Sequence, residues 1–554
     1  MLLVDYIASY LKKIGVTKVF GYQGGGIAPL IEAIGNTKGM EYIQLYHEQA
    51  SGFAADAYGR SSQKLGVCVV TNGPGLTNAV SAIANAQFDF SPCLFLTGQV
   101  NVQDINKTPG VRQNGFQEVD SLKIVGSISK YAVSIRNKDD IKAELEKAVG
   151  IAMECPKGAV VVELPLDVQK AEVGFDLSNT DILTEDSKTS INVDDFLDSL
   201  QNAKKPLMVL GGGVRCSFGA YELIQEFVER THAPAVSSLQ GLDIVTSNSI
   251  GFSGLYGLAH CNLALYQADL ICVLGCRLSK RQIGIAGKYS KNAKKIFQVD
   301  INSNELGRVL NVDGAYNCDV GVFLKACLSS IEVKRIQFDF SSWNNEILKW
   351  KSMYLNKSEF NLKETQPFVF MRNLSDFISK DSNIAFDVGQ NQMWCAQGFV
   401  PKVGQRIFSS SGLGCMGFSL PAAIGAYFAN GRVTYAFMGD GGFQMNLQEL
   451  NSVSSRNLPI KIFVFNNDSL GMIQEVQMKF NASNYIGTKI GYKAPNFKAL
   501  AKAYNIEYEA VTTCIIDKNI SDKLKSDNPV LFEIILSENP TRLMNKYDVQ
   551  EIYI

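Results

Sequence analysis

The chain has 554 residues, 46% of them hydrophobic, which is enough for several cores and too much for one ordinary domain, so three domains are expected. Its 53 Lys and Arg nearly balance 54 Asp and Glu for a formal net charge of -1, which excludes a general electrostatic attraction to nucleic acid or to a phospholipid surface. A small-molecule enzyme with neither a nucleic-acid nor a membrane partner fits better.

The opening MLLVDYIASYLKKIGVTKVF lacks the basic n-region, unbroken apolar run and small-residue cleavage site of a secretory signal. No later stretch reads as a clean membrane span, so the cytoplasm is the expected compartment. The 12 cysteines are scattered singly, without a CxxC pair or a neighbouring His cluster, and read as reduced, mostly buried thiols.

In the first segment helical patterns alternate with the β-rich runs VTKVF (16–20), GVCVVTN (66–72) and CLFLTGQ (93–99). That alternation predicts an α/β fold: parallel β-sheets flanked by helices. The unit closes after AVVVELP (159–165), which sets a first domain at 1–168. Residues 169–192 mix Asp, Ser, Thr and Lys with few large apolar groups and read as a linker.

A second α/β unit at 193–335 carries KPLMVLGGG (205–213), APAVSSLQG, DLICVLGCR and KKIFQVDIN. The polar, aromatic-dotted stretch 336–365 reads as a second linker, and a third unit at 366–554 carries NIAFDVG (383–389), VTYAFMGDGG (433–442) and PIKIFVFNN (459–467). Each passes from strand to glycine turn, which places ligand-facing loops at strand ends.

The sharpest local signal is Gly439-Asp440-Gly441-Gly442, followed by the helical segment FQMNLQELNSVSSR, the strand PIKIFVFNN and Asn467. A strand, crossover helix and second strand spanning the 27 positions from 440 to 467 return the chain to the same edge of a parallel sheet. Magnesium wants compact octahedral oxygen coordination and commonly keeps phosphate and water ligands. Asp440 offers an anionic oxygen, Asn467 a side-chain carbonyl and Ser469 a backbone carbonyl, while Gly439, Gly441 and Gly442 allow the turn to close around the ion. Alone, GDGG is equally an ordinary αβ turn; the distant NNDSLGM segment makes it specific.

With these motifs the chain resembles the thiamine diphosphate-dependent enzyme superfamily, and within it the acetolactate synthase catalytic chain. The collinear matches are VFGYQGGGIAPL, YHEQASGFAADAYGR, TNGPGLTNAVSAIANA, FQEVD, GCRLSKRQIG, VGQNQMW, GLGCMGFSLPAAIGA and GDGGFQMNLQEL. The resemblance implies a three-domain architecture: an N-terminal pyrimidine-binding domain, a central domain and a C-terminal diphosphate- and Mg2+-binding domain. It further implies a carboligase or transferase that takes pyruvate or another small 2-keto acid as acyl donor.

It also implies roles for single residues. Glu48, in YHEQ, would be the acid beside the cofactor's aminopyrimidine, where a helix-capping or salt-bridging carboxylate is the plainer alternative. Met416 would support the bent cofactor instead of merely filling a core gap. Gly389, Gln390, Asn391 and Gln392 would approach the diphosphate, with Gly75, Asn78, Gly414 and Met472 bordering the same pocket. Gly25 and Gly26 would bring a backbone donor to a developing oxyanion, Phe116 would bound the acyl pocket, Gln117 would orient an oxygen, and Arg281 would hold an acceptor carboxylate.

The middle-domain turns GGGV (211–214), GLYG (254–257), GCR (275–277) and VDIN (299–302) resemble the family's FAD-binding domain, with Arg277 near the flavin diphosphate and Asp300 or Asp319 near the adenosine or ribityl portion. Because Glu48 and Asp440 fall in different units, the resemblance implies a homodimer or homotetramer whose partners complete each pocket. A regulatory subunit is left open.

Gln23, in YQGG, departs from the commoner YPGG of the family, and three further positions depart on the acceptor side. Val476 stands where a tryptophan is usual, Leu166 where PKDV has lysine, and Tyr256 sits in GLYG where GMHG is commoner. These changes enlarge and decharge the acceptor entrance. Acetyl transfer to a keto-sugar or another ketone, and FAD-linked pyruvate oxidation, therefore stand beside acetolactate formation as alternatives.

Overall fold

The computed structural model describes residues 1–105, 108–174, 191–284, 290–355, 366–480 and 484–536. Among them are three six-stranded sheets. Every strand pairing is parallel, as expected where apolar runs are covered on both faces. The strands Cys93–Gln99 and Ala159–Pro165 show the pattern most fully: all seven residues of each are buried, and they pair from Cys93 with Ala159 to Gln99 with Pro165.

Counted along the chain within each sheet, the first and third share the strand order 2-1-3-4-6-5, whereas the middle sheet runs 3-2-1-4-5-6. The first and third units are thus alike in topology without being alike in sequence. They pack through two helices rich in small residues, Glu48–Ser62 and Ser419–Asn430. A β-carbon on Gly425 would run into the carbonyl of Ala54, so glycine sets how closely these helices approach. Beside that contact the Phe53 and Phe418 rings meet at 5.4 Å within one core shared by both units.

Both expected linkers need correction. In 169–192, Gln169 and Val173 are buried against the first unit, where Gln169 Nε2 donates to Leu164 O at 2.9 Å and to Gly26 O at 2.7 Å. Leu2 and Glu172 form an antiparallel bridge there. The remainder, 175–190, lies outside the described residues. In 336–365, Ser341–Tyr354 is a helix. Its Trp343 and Ile347 are buried on the middle unit, and Trp343 Nε1 donates to Pro206 O at 3.0 Å. Aromatic residues in a polar stretch were anchors, not linker decoration.

The segment FQMNLQELNSVSSR is likewise not one helix: Asp440–Met445 ends at Asn446, a 3-10 turn covers Leu447–Glu449, and a new helix spans Leu450–Ser455. The 12 cysteines are unbridged thiols, and nine of them are buried. Among the described residues no helix is long and apolar enough to cross a membrane.

Candidate functional site

The strand Thr434–Gly439 ends one residue before Asp440, and its parallel neighbour Ile460–Asn466 ends one residue before Asn467. Asp440 is 2% exposed. Its Oδ1 accepts from Gly441 N at 2.7 Å and from the Tyr492 hydroxyl at 3.0 Å, and its Oδ2 accepts from Ser469 N at 3.3 Å. Burial pushes this carboxyl up to about 6. Asp440, Asn467 and Ser469 are therefore brought together at adjacent strand ends.

Glycines make room around them. A β-carbon on Gly471 would collide with the Gln390 amide oxygen and lie 2.9 Å from Asn467 Nδ2. That Gln390 oxygen is buried and has no hydrogen-bond partner among the described residues, while the Gln390 amide nitrogen donates to Glu475. A β-carbon on Gly441 would run into Leu470 and approach Met416 Cε to 3.2 Å, so Met416 stands against the same turn. Asn391 packs against it too, its Oδ1 lying 3.3 Å from where a Gly439 β-carbon would stand. Gly389 and Gly414 take positive φ values of 145° and 76°. Met472 is half-buried on the helix Gly471–Lys479.

Below this cluster lies Asp387, fully buried at the end of the strand Asn383–Phe386. It accepts from Val388 N at 2.8 Å, Gly417 N at 2.9 Å and Ser419 N at 2.8 Å, which fixes the loop that carries Met416. Burial raises it to about 6. Gln392 turns elsewhere: its amide nitrogen donates to Ser409 Oγ at 2.6 Å and its oxygen accepts from Arg281 Nη2 at 3.4 Å. It thus joins Arg281, not the Asp440 group.

A second cluster belongs to the first domain. Glu48 opens the helix Glu48–Ser62, capped by His47 Nδ1 accepting from Gln49 N, and is 8% exposed. Its Oε2 accepts from Asn78 Nδ2 at 3.0 Å, and a β-carbon on Gly75 would stand 3.6 Å from its Oε1. Gly26 N donates to Thr71 Oγ1 at 3.2 Å, Thr71 Oγ1 contacts Asn72 Oδ1 at 3.1 Å, and Asn72 Nδ2 donates to Gln117 O at 3.2 Å. Gln117 has a φ of 64°, and its backbone oxygen would stand 2.6 Å from a β-carbon on Gly73.

The oxyanion expectation divides here. Gly26 already spends its N–H on Thr71, whereas a β-carbon on Gly25 would meet nothing within 4 Å among the described residues. Phe116, expected to bound the acyl pocket, is 86% exposed and faces outward in a single chain.

The middle sheet's order 3-2-1-4-5-6 has a switch point between the strands Pro206–Leu210 and Leu270–Leu274, the place where doubly wound sheets take dinucleotides. There Gly213 N donates to Gly275 O at 3.0 Å, and a β-carbon on either glycine would strike the other's backbone. A cavity of about 250 Å³ opens beside them, lined by Arg215, Arg277, Arg281, Tyr256, Asp300 and Asp319 and closed by residues of the first and third domains. Asp319 Oδ1 accepts from Ser217 Oγ at 2.5 Å and Gly321 N at 2.7 Å, so this carboxylate caps the helix Val320–Lys334. Asp300 Oδ1 accepts from Asn302 N at 2.9 Å.

Three residues of these sites escaped the sequence reading. Tyr492 reaches Asp440 across 52 positions with no motif to signal it. Asp387 had a signal, an acid at a strand end just before a glycine loop. Glu449 is fully buried, and its Oε1 accepts from Tyr46 N at 2.9 Å, across 403 positions.

Comparison with known proteins agrees along the chain. Residues 1–124, 193–327 and 387–534 match, in turn, the N-terminal TPP binding domain, the central domain and the C-terminal TPP binding domain of the thiamine pyrophosphate enzymes. The acetolactate synthase large subunit of Lactococcus lactis is 35% identical over 541 residues, covering 96% of this chain and 91% of that protein. Acetolactate synthase 2, chloroplastic, of Zea mays is 34% identical, covering 96% and 85%. The acetolactate synthase isozyme 2 large subunit of Escherichia coli is 30% identical, covering 96% and 95%.

Proposed function

This chain belongs to the thiamine pyrophosphate enzymes, in the branch of the acetolactate synthase large subunits, and from that premise we propose that it decarboxylates pyruvate and joins the two-carbon unit to a carbonyl acceptor. The observation that carries this reading is the convergence of Asp440 with the Asn467–Ser469 segment inside a glycine cradle.

The residues present fit the cofactor and its metal. A buried carboxylate, a neighbouring amide and the Gln390 oxygen, which has no hydrogen-bond partner among the described residues, form a hard oxygen set suited to Mg2+. Asp440, Asn467 and Ser469 would hold the metal, Gly389 to Asn391 and Gly439 to Gly442 would surround the diphosphate, and Met416 and Met472 would support the rings. When bound, thiamine diphosphate supplies the carbon nucleophile and electron sink that decarboxylation of a 2-keto acid requires. Glu48, held by Asn78, would stand beside the aminopyrimidine ring as its proton-exchanging acid. Gly25 offers its backbone to the oxygen that gains charge, and Arg281 orients the acceptor.

FAD in the middle-domain cavity belongs to the same proposal, supported by the 3-2-1-4-5-6 strand order, the apposed Gly213 and Gly275, and Arg215 and Arg277 in the wall. Carboligation needs no net oxidation, so the flavin's role there is structural. A homodimer or homotetramer is supported by Phe116, an expected acyl-pocket residue that a single chain leaves 86% exposed. A regulatory subunit would be a partner of that assembly.

One observation favours a second reading of the acceptor. Val476 and Ile473 leave an open face on the helix Gly471–Lys479, 39% and 52% exposed, which suits a ketone larger than pyruvate, a keto-sugar included. The test is product analysis with labelled pyruvate and competing 2-keto acids and keto-sugars: acetolactate alone supports the first reading, a branched sugar the second. Oxygen uptake with matching peroxide would support pyruvate oxidation instead.

A further inference from the structure

Glu449 spends its two oxygens on different domains. Oε1 accepts from Tyr46 N of the first domain at 2.9 Å, and Oε2 accepts from Ser452 Oγ of the third at 2.9 Å. The same carboxylate also takes a hydrogen bond from the His47 backbone. Three residues earlier, Asn446 Nδ2 donates to Gln49 Oε1 at 3.2 Å and to Gly417 O at 2.8 Å. Positions 46, 47 and 49, which flank Glu48 on both sides, are thus held by side chains from the short stretch that begins at Asp440.

A fully buried carboxylate with no cation beside it among the described residues is a costly way to join two surfaces. Packing alone would be served by an apolar residue, as at the adjacent Leu450 and Val453. What a carboxylate adds is direction: it accepts two successive backbone N–H groups at the entry to the helix Glu48–Ser62 and so sets where that helix begins. Asn78 fixes the Glu48 side chain laterally, but the position of its α-carbon depends on the strand-to-helix turn that Glu449 holds.

We propose that Glu449 is a positioning residue that aims Glu48 at the cofactor's aminopyrimidine ring by clamping the Tyr46 and His47 amides. The proposal rests on the functional reading above, in which Glu48 is the proton-exchanging acid.

The test uses the full-length protein with Glu449→Ala, Glu449→Gln and, as control, Ser452→Ala, which frees Oε2 without touching Tyr46 or His47. Three quantities are read: amide hydrogen exchange across 44–50 without cofactor, deuterium exchange at the thiazolium C2 of bound thiamine diphosphate after acid quench, and kcat and KM for pyruvate. Glu449→Ala is expected to expose the 46 and 47 amides and slow C2 exchange by about 10- to 100-fold, with kcat falling in parallel and KM changing by less than about 2-fold. Glu449→Gln keeps one carbonyl acceptor and is expected to recover part of the loss, and Ser452→Ala to stay within about 2-fold of the parent. Should Glu449→Ala fail to fold, Glu449→Gln decides the matter through the same ratio of kcat to KM effects. C2 exchange at the parent rate in a folded Glu449 variant overturns the proposal. Absence of C2 exchange in the parent holoenzyme would instead overturn the functional reading beneath it.

Discussion

A β-carbon on Gly442 would stand 2.7 Å from Oδ1 of Asp387, the carboxylate oxygen that also receives Gly417 N. The GDGG turn and the Met416 loop are therefore built on one buried acid, and the last glycine of the motif is required by what lies under it. Gly442→Ala must displace either Asp387 or the turn. Overpacking of this kind costs about 1–3 kcal/mol, so the variant is expected to unfold at lower urea and to bind thiamine diphosphate about tenfold more weakly. Parent-like values for both in denaturation and cofactor titration would contradict this.

Asp440→Asn keeps the size and most hydrogen bonds of the side chain but removes the anion beside Asn467 and Ser469. Mg2+-dependent binding of thiamine diphosphate is expected to weaken by more than about 100-fold while the fold and oligomeric state persist. Equilibrium dialysis with and without Mg2+, beside size-exclusion chromatography, measures both.

Burial raises Glu449 to about 7 from the ordinary glutamate value of 4.5. A carboxyl raised on folding contributes stability that is fully present below 4.5 and is lost as pH rises through 7. In the cofactor-free protein this contribution is on the order of 3 kcal/mol. Glu449→Gln, which cannot titrate, should flatten the fall in stability between those limits relative to the parent. Equal pH slopes for the two proteins, measured by urea unfolding across that range, would show that the Glu449 carboxyl titrates normally.

Gly275 has a φ of 56°, and a β-carbon on it would lie 2.7 Å from Gly213 Cα. Gly275→Ala is expected to part the two turns at the switch point and to release the flavin that the parent protein should carry after purification. Flavin absorbance of the denatured supernatant measures it. A parent protein free of flavin and unable to take it up would end the FAD proposal.

Interior strands were legible in the sequence because they are continuous apolar runs: CLFLTGQ and AVVVELP became strands over those same residues. Most edge strands were not. Tyr131–Ser134, Ser249–Phe252, Gly314–Asn317 and Glu507–Val511 all lie at sheet edges, where half-solvated residues blur the apolar run that marks a strand. The site divides in the same way. Asp440 and Asn467 could be paired because a parallel crossover has a characteristic length, but the Glu449 carboxylate and the Tyr46 amide come together only through the packing of two domains, which no spacing encodes.

The most direct test of the central claim supplies labelled pyruvate to the purified protein with and without thiamine diphosphate and Mg2+, alongside Glu48→Gln, and follows carbon dioxide and the fate of the label. Carbon dioxide release and label in a product with a new carbon–carbon bond are expected, both requiring the cofactor and the metal, with a loss of about 100-fold or more in Glu48→Gln. No carbon dioxide and no joined product from protein shown to hold thiamine diphosphate would contradict that claim.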